Sequence, residues 1–272
     1  MRMSFVLLPL IIVQNASAAF ETLHPGARAL GLGGITTVLP VSAWAAFGNP
    51  ATLNATGQPS LAFSYTPQQY GLTELRSGSA SFVQPTPLGA FALSGSTFGF
   101  SLYRETTFGL SYGRRFTDEF YVGATLSYFS LSIPSYGSGA SLGISIGGYL
   151  SLTDEISWGF HIVNVNGPTI GIGKEKLPQN FATGIGFQPV PEVLLAAEIS
   201  KDIRYPAEFL IGVEYTFIDL VSIRGGLATE PSLMNGGLGI HYRFFTFDYA
   251  VTSHVDLGST HTFSVAITLG GF

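Results

Sequence analysis

The sequence predicts an all-β protein, a transmembrane antiparallel β-barrel of about fourteen strands. Three observations support this prediction: the composition, apolar residues that alternate along most of the chain, and turns that separate the alternating stretches. Among the 272 residues, 46% are hydrophobic and 11% are charged, whereas about a quarter of the residues in an ordinary soluble domain carry a charge. A chain of this composition cannot easily cover itself with a water-soluble surface.

The composition also excludes several classes of protein. The 22 Phe and 12 Tyr residues are too many for an intrinsically disordered chain. The sequence contains no Cys, so it has no disulfide scaffold, no thiolate zinc site and no cysteine nucleophile. With 12 Lys and Arg against 17 Asp and Glu, the formal charge is -5, which gives no basic surface for nucleic acid.

The first eighteen residues have the pattern of a signal peptide. Arg2 precedes an apolar run from Phe5 to Val13, and small residues follow at Ala16 and Ala18. The apolar run is too short for a membrane anchor, which needs about 20 residues. We therefore expect residues 1–18 to be removed on export and the mature chain to begin at Ala19.

Strands are predicted from period-two alternation. From Val122 to Tyr128, apolar residues alternate with Gly, Thr and Ser, and the same pattern recurs at 108–112, 245–251 and 263–269. A soluble sandwich would carry Lys and Glu on its second face. Counting back from the C-terminus, the predicted strands are 59–69, 73–83, 87–101, 104–115, 119–133, 138–151, 155–165, 178–187, 190–201, 206–217, 220–228, 232–242, 245–254 and 260–270. Ser94–Ser96 could interrupt the third strand and change the count by two.

A spanning sheet of this kind must close, because hydrocarbon offers no partner for backbone N–H and C=O groups at a sheet edge. The links between strands alternate in length. Tight links are predicted near 117–118, 153–154, 189–191, 218–219 and 244, and longer links near 134–139, 166–178, 201–206, 229–236 and 255–259. Outer-membrane barrels have short periplasmic turns, so we expect both ends of the barrel on the periplasmic side of a bacterial outer membrane.

Charged residues fall on one face of five consecutive predicted strands. If the apolar residues Leu195, Ile211, Ile223, Ile240 and Phe247 face lipid, a polar strip points into the lumen, consisting of Glu198, Glu214, Arg224, His241, Arg243 and Asp248. The strip could hold an internal segment, through Arg28 for example, or line a water path. Cross-strand ion pairs that merely neutralise a polar interior are the alternative.

Aromatic residues concentrate beside the predicted tight links, as expected for an interfacial girdle: Tyr112, Phe116, Tyr121, Phe187, Tyr215, Phe217, Tyr242 and Phe244. The chain ends at Phe272, a terminal aromatic that looks like the signal read by the barrel-insertion machinery. Because Phe272 is out of phase with the strand before it, a bulge at Gly270–Gly271 is expected.

Several motifs together carry a family resemblance. The stretch from Gly26 to Gly34 (GARALGLGG), followed by the turn at Asn49–Ala51 (NPA), resembles the amino-terminal segment of the PorV/PorQ family of outer-membrane proteins, which is distantly similar to the FadL long-chain fatty acid transporters. Further agreement lies at 109–115, 163–171, 212–217 and 260–264. The resemblance spans nearly the whole predicted mature chain.

The resemblance implies a fourteen-stranded barrel, residues 59–272, with residues 19–58 folded inside as a hatch or plug. The hatch motif then comprises Gly26, Arg28, Gly31, Gly33, Gly34, Asn49 and Pro50. Asn-Pro favours a turn, and we expect this one to set where the hatch meets the wall. Two roles are open for Asn49. It could contact a ligand, or it could simply begin a helix or a turn.

The sequence contains short matches to enzyme motifs, but they lack the structural setting that an enzyme needs. The nucleophile pattern G-x-S-x-G occurs at 109–113, 139–143 and 143–147, but each copy lies within an alternating strand instead of at a strand-to-helix elbow. The five His residues are scattered without metal-ligand spacing. We therefore expect no enzyme, no cofactor and no metal.

Two functions remain open. The first is the passage of small or apolar molecules across the outer membrane. The second, implied by the resemblance, is a scaffold that binds cargo in type IX secretion or envelope assembly. The partners expected are outer-membrane lipid, the barrel-insertion machinery, and either apolar small molecules or secretion-system proteins.

Overall fold

The structure, a computed structural model, describes residues 19–21, 26–39, 43–134 and 136–270, without the side chains of residues 54–56. The predicted signal peptide, residues 1–18, lies outside the described residues. So do Phe272 and the second residue of the bulge expected at Gly270–Gly271. The signal peptide and the insertion signal therefore stay predictions.

The described residues form a closed barrel of fourteen antiparallel strands, each paired with its neighbours in the chain, together with a separate two-stranded hairpin, β8–β9. In chain order the strands are β1 (Ser60–Thr66), β2 (Ser77–Thr86), β3 (Gly89–Phe100), β4 (Tyr103–Arg115), β5 (Phe120–Ile133), β6 (Gly137–Ser151), β7 (Ile156–Val163), β8 (Thr169–Ile170), β9 (Glu175–Lys176), β10 (Asn180–Val190), β11 (Val193–Asp202), β12 (Glu208–Phe217), β13 (Val221–Thr229), β14 (Ser232–Tyr242), β15 (Phe245–His254) and β16 (Gly258–Thr268). β1 pairs with β16, so the sheet has no free edge along this seam. The predicted fold class and strand count are confirmed.

The third predicted strand, 87–101, is continuous as β3. Gly95 pairs with Ala80 on one side and with Phe108 on the other, so the small residues around it do not interrupt the ladder. A glycine weakens a strand by its backbone freedom, but two flanking strands supply the hydrogen bonds that hold it extended.

The outer surface of the barrel is apolar. Leu195, Ile211, Ile223, Ile240 and Phe247 are all exposed, as predicted for residues that face lipid. Alternate positions on the same strands are buried and face the lumen. Period-two alternation therefore separates an apolar outer belt from an enclosed interior.

The predicted alternation of short and long links is wrong in part. Three of the links expected to be long are turns of two or three residues, at 134–136, 230–231 and 255–257. Gly137 and Gly258 begin the strands after two of these turns with φ of +107° and +96°, a conformation that suits glycine and lets a strand restart at once. Some residues that the sequence pattern assigned to loops, such as 137–139, are paired in strands.

Of the links between described barrel strands, 67–76 and 164–179 are longer than five residues, and the second contains the hairpin β8–β9. We call the end of the barrel that carries these two links the loop end, and the opposite end the turn end. The turn end carries the links 87–88, 116–119, 152–155, 191–192, 218–220 and 243–244, together with both ends of the barrel sheet. Phe116, Phe217 and Tyr242 are exposed there, where the aromatic girdle was predicted.

The described residues 26–39 and 43–56, which precede β1, lie inside the barrel. This inner segment, residues 26–39 and 43–56, contains the helix α1 (Ala27–Gly31) and two 3-10 helices, Ala43–Ala46 and Pro50–Thr56. Leu32, Ile35 and Leu53 are fully buried against the wall. None of the described helices is long and apolar enough to cross a membrane.

Candidate functional site: the lumen and its inner segment

Glycines of the wall allow the inner segment to approach. A Cβ atom added at Gly123 would lie 2.6 Å or less from backbone atoms of Pro50 and Ala51. One added at Gly212 would lie 2.7 Å from the carbonyl oxygen of Leu32. Real Cβ atoms do not approach other atoms so closely, so a side chain at these positions would displace the inner segment. The glycine-rich lumen face is a docking surface for a backbone, which explains much of the glycine content.

The same reason accounts for one glycine in each of two copies of the G-x-S-x-G pattern. Gly113 lies against Pro50 and Gly147 lies against Asn49. Between the glycines of the first copy, the Ser111 hydroxyl is fully buried and shares a 2.8 Å hydrogen bond with Thr125 on the next strand. The motif therefore combines wall glycines with a cross-strand hydroxyl pair.

Four charged residues form one network between the inner segment and the wall. Arg28 donates from Nε to Oε2 of Glu214 at 2.9 Å and from Nη2 to Oε1 at 2.6 Å. Arg224 donates from Nε to the same carboxylate and from Nη1 to Oδ1 of Asp248 at 2.7 Å. Two guanidinium groups and two carboxylates balance in charge, which is the condition for burying them.

Glycines also bring α1 to this network. Gly33 and Gly34 have φ of +79° and +92°, and their N–H groups donate to the carbonyl groups of Leu30 and Ala29 at 3.0 and 2.8 Å. This is the Schellman arrangement that ends a helix with a left-handed residue. Gly31 faces Gly237 of β14, so α1 lies almost directly on the strand backbone. Gly33 and Gly34 therefore end the helix, and Gly31 allows it to pack closely on the strand. Gly26, which precedes the helix, has φ of +104° and packs against Trp44.

Glu198 of β11 holds the next part of the inner segment. Its Oε2 atom accepts hydrogen bonds from the backbone N–H groups of Thr36 and Thr37 at 2.9 and 2.8 Å, and from the Thr37 hydroxyl at 2.7 Å. Hydrogen bonds to a charged acceptor are stronger than those between neutral groups. Glu198 is therefore a second anchor.

Asn49 is the third anchor and is fully buried. Its Nδ2 group donates to the carbonyl oxygen of Thr37 at 2.8 Å and to that of Gly148 in β6 at 2.9 Å. Its Oδ1 accepts from the N–H of Ala51 at 3.1 Å, which caps the 3-10 helix that begins at Pro50. One side chain therefore joins two parts of the inner segment to the wall.

The remaining two members of the predicted polar strip, Arg243 and His241, belong neither to the charge network nor to the Glu198 anchor. Arg243 is exposed, has φ of +56° and occupies the turn 243–244, so its assignment to the lumen is wrong. The strand β14 ends one residue earlier, and a side chain beyond a strand end no longer follows the alternation. His241 is partly buried and its ring contacts the Ser222 hydroxyl at 2.9 Å.

A cavity of about 140 Å³ lies between the inner segment and the loop-end half of the wall. Its lining combines aromatic rings with carboxylates, including Phe20, Phe47, Phe129, Glu105, Glu198 and Glu208. Sequence reasoning missed Glu105 and Glu208. Both lie in phase with known inward positions, Glu105 with Ser111 and Glu208 with Glu214, so extending the alternation to the strand ends would have found them.

Among the residues that the structure describes, no group of three or more His, Asp or Glu side chains is placed to hold a metal ion. Glu198, Glu214 and Arg224 instead bond to the inner segment or to one another. The arrangement therefore provides a held internal segment and an adjoining cavity.

The sequence matches no protein family and no curated protein. The fold, however, is shared with solved outer-membrane structures. CymD, a monoaromatic hydrocarbon channel, aligns with a TM-score of 0.66 at 14% identity over 92% of this chain and 99% of its own. The Pseudomonas putida toluene transporter TodX aligns with a TM-score of 0.64 at 13% identity over 89% and 96%. A Pseudomonas aeruginosa FadL homologue aligns with a TM-score of 0.60 at 14% identity over 89% and 97%. At these identities the likeness establishes a FadL-like barrel fold.

Proposed function

We propose that this chain is a gated channel that passes small apolar molecules across the bacterial outer membrane. Its apolar belt contacts lipid, and the inner segment acts as the plug. Residues 19–58 form the plug and residues 59–272 the barrel, with residues 1–18 removed on export and Phe272 read by the insertion machinery. The fold shared with hydrocarbon channels supports a transport role.

The observation that carries this proposal is the cavity beside the inner segment. A fully packed lumen would suit a structural barrel, and a water-filled one would suit a porin. At about 140 Å³, this cavity is close to the roughly 150 Å³ that accommodates benzene in an engineered protein interior. CymD is a monoaromatic hydrocarbon channel and TodX is a toluene transporter, and we propose a substrate of similar size here.

Passage from the cavity toward the turn end is blocked by the inner segment. The wall glycines and the anchors at Glu214, Glu198 and Asn49 leave little space between this segment and strands β4–β14. A molecule in the cavity can proceed only after part of the inner segment has moved.

Reconstitution into liposomes tests the proposal. The purified barrel should accelerate uptake of radiolabelled toluene into hexadecane-loaded liposomes, while ion conductance through the same preparation stays near that of protein-free bilayers. Toluene uptake no faster than in empty liposomes would contradict the proposal. High conductance with a stable plateau would indicate an open pore instead of a plugged one.

The same preparation discriminates the scaffold role implied by the PorV/PorQ resemblance. A cargo-binding barrel should be impermeable to toluene, and crosslinking in native membranes should recover a secretion component or a cargo domain. The surface available for such a partner at the loop end consists mainly of the links 67–76 and 164–179. Crosslinks that map to these links would favour the scaffold role.

A further inference from the structure

The predicted start of the mature chain lies inside the barrel. Ala19 is 4% exposed and Phe20 is 8% exposed. The Phe20 ring packs against Phe129 with a centroid distance of 5.1 Å in an edge-to-face arrangement. Ile170 of β8 and Leu177, which directly follows β9, complete this apolar cluster. The first residues after the predicted cleavage site are therefore docked.

A buried carboxylate lies at the same place. Glu105 is 5% exposed and accepts a 2.6 Å hydrogen bond from the Tyr103 hydroxyl. It also accepts a hydrogen bond from the backbone N–H of Phe20. Both donors are neutral, and no ion pair joins Glu105 to another described residue. A buried carboxylate without a cation is unfavourable, so this group is short of one positive charge.

Removal of the signal peptide would supply that charge. Hydrolysis of the Ala18–Ala19 amide bond gives the hydroxyl of water to the Ala18 carbonyl carbon and a hydrogen to the Ala19 nitrogen. The amine formed binds a further proton at neutral pH, since α-amino groups have a pKa of about 7.7–8.0. Successive Cα atoms are 3.8 Å apart, so the Ala19 nitrogen lies within about 4 Å of the Phe20 nitrogen that already contacts Glu105.

We propose that Glu105 binds the α-ammonium group of Ala19, so that signal-peptide removal creates the ion pair that docks the chain start in the lumen. Before cleavage, Ala19 presents a neutral amide, and Glu105 lacks its partner. After cleavage, the ammonium and the Phe20 ring bind side by side, one to a carboxylate and one to an apolar cluster. The ion pair is thus a processing-dependent contact, independent of whether the barrel transports anything.

The test measures the reactivity of the amino terminus in the folded, purified barrel. Intact-mass analysis first identifies the terminal residue, and a start other than Ala19 would overturn the proposal. The α-amine is then acylated at pH 7 with an N-hydroxysuccinimide ester, and the modified N-terminal peptide is quantified after digestion. We expect labelling at least about tenfold slower than in heat-unfolded protein. The pH dependence of labelling in the native barrel should give an α-amine pKa above its ordinary range.

Both an ion pair with Glu105 and simple burial would slow labelling of the α-amine, and two variants distinguish these causes. Glu105→Gln keeps the shape of the side chain and removes its charge, so labelling should accelerate about tenfold, which corresponds to a one-unit fall in the amine pKa. Glu119→Gln is the control for the loss of one carboxylate, because Glu119 is exposed in the link 116–119 at the opposite end of the barrel. Equal labelling in Glu105→Gln and native protein would overturn the proposal. Should Glu105→Gln fail to fold, the native titration alone decides, since an unshifted amine pKa also overturns it.

Discussion

The two walls that hold the inner segment differ in chemistry. Strands β12–β15 hold α1 through the network of Arg28, Glu214, Arg224 and Asp248. Strands β1–β3 hold the helix Ala43–Ala46 and Leu53 through small apolar side chains: Ala62, Val83, Ala90 and Ala92. We call these the charged wall and the apolar wall. One segment is thus fixed at one side mainly by ion pairs and at the other mainly by apolar packing, and we expect each side to release separately.

The largest effect is expected at the charged wall. Glu214→Gln leaves Arg28 and Arg224 with a neutral partner, and removing one member of a buried ion network costs about 3–5 kcal/mol. We expect α1 to leave the wall in a measurable fraction of molecules, with new trypsin cleavage after Arg28 and raised ion conductance. Unchanged protease resistance and conductance would show that packing alone holds the helix.

A comparable but slightly smaller effect is expected at the apolar wall. Leu53 is fully buried, and a Leu→Ala change in such a site costs about 2–5 kcal/mol through lost burial and the cavity left behind. Leu53→Ala should loosen the helix Pro50–Thr56 while α1 remains docked. Hydrogen exchange measured by mass spectrometry should accelerate in residues 50–56 and stay slow in 27–34. Equal acceleration in both would mean that the walls do not act separately.

Asn49 lies between the two walls and links them. Asn49→Ala removes three hydrogen bonds between neutral groups, which contribute about 1 kcal/mol each to stability. We expect a smaller rise in conductance than for Glu214→Gln. Conductance and protease resistance equal to those of the native barrel would refute an anchoring role for Asn49.

The smallest effect is expected from an ion pair outside the lumen. Arg115 and Asp118 form a 2.6 Å pair in the turn after β4, where both side chains are exposed. Exposed pairs contribute about 0–1 kcal/mol, so Asp118→Asn should leave conductance and heat stability on detergent gels unchanged. This variant is the control for Glu214→Gln. A conductance change in Asp118→Asn would show that surface charge, not the charged wall, governs the leak.

Inward and outward positions within strands were predictable, and positions at strand ends were not. Glu214, Arg224 and Asp248 were assigned to the lumen from alternation and are buried. Arg243 was assigned by the same rule and lies in a turn, because the strand ends at Tyr242. Three predicted link lengths were wrong for the same reason, since the point at which a strand ends depends on the strand paired with it.

Alternation and scarce charge are local properties, so the sequence was enough to predict the barrel and the residues that face inward across most of each strand. Which inward groups meet depends on the tertiary structure. Arg28 and Glu214 are 186 positions apart, and the contact of Phe20 with Glu105 depends on the path of the chain through the lumen. Such contacts arise from closure of the whole sheet around the inner segment, and no local pattern encodes them.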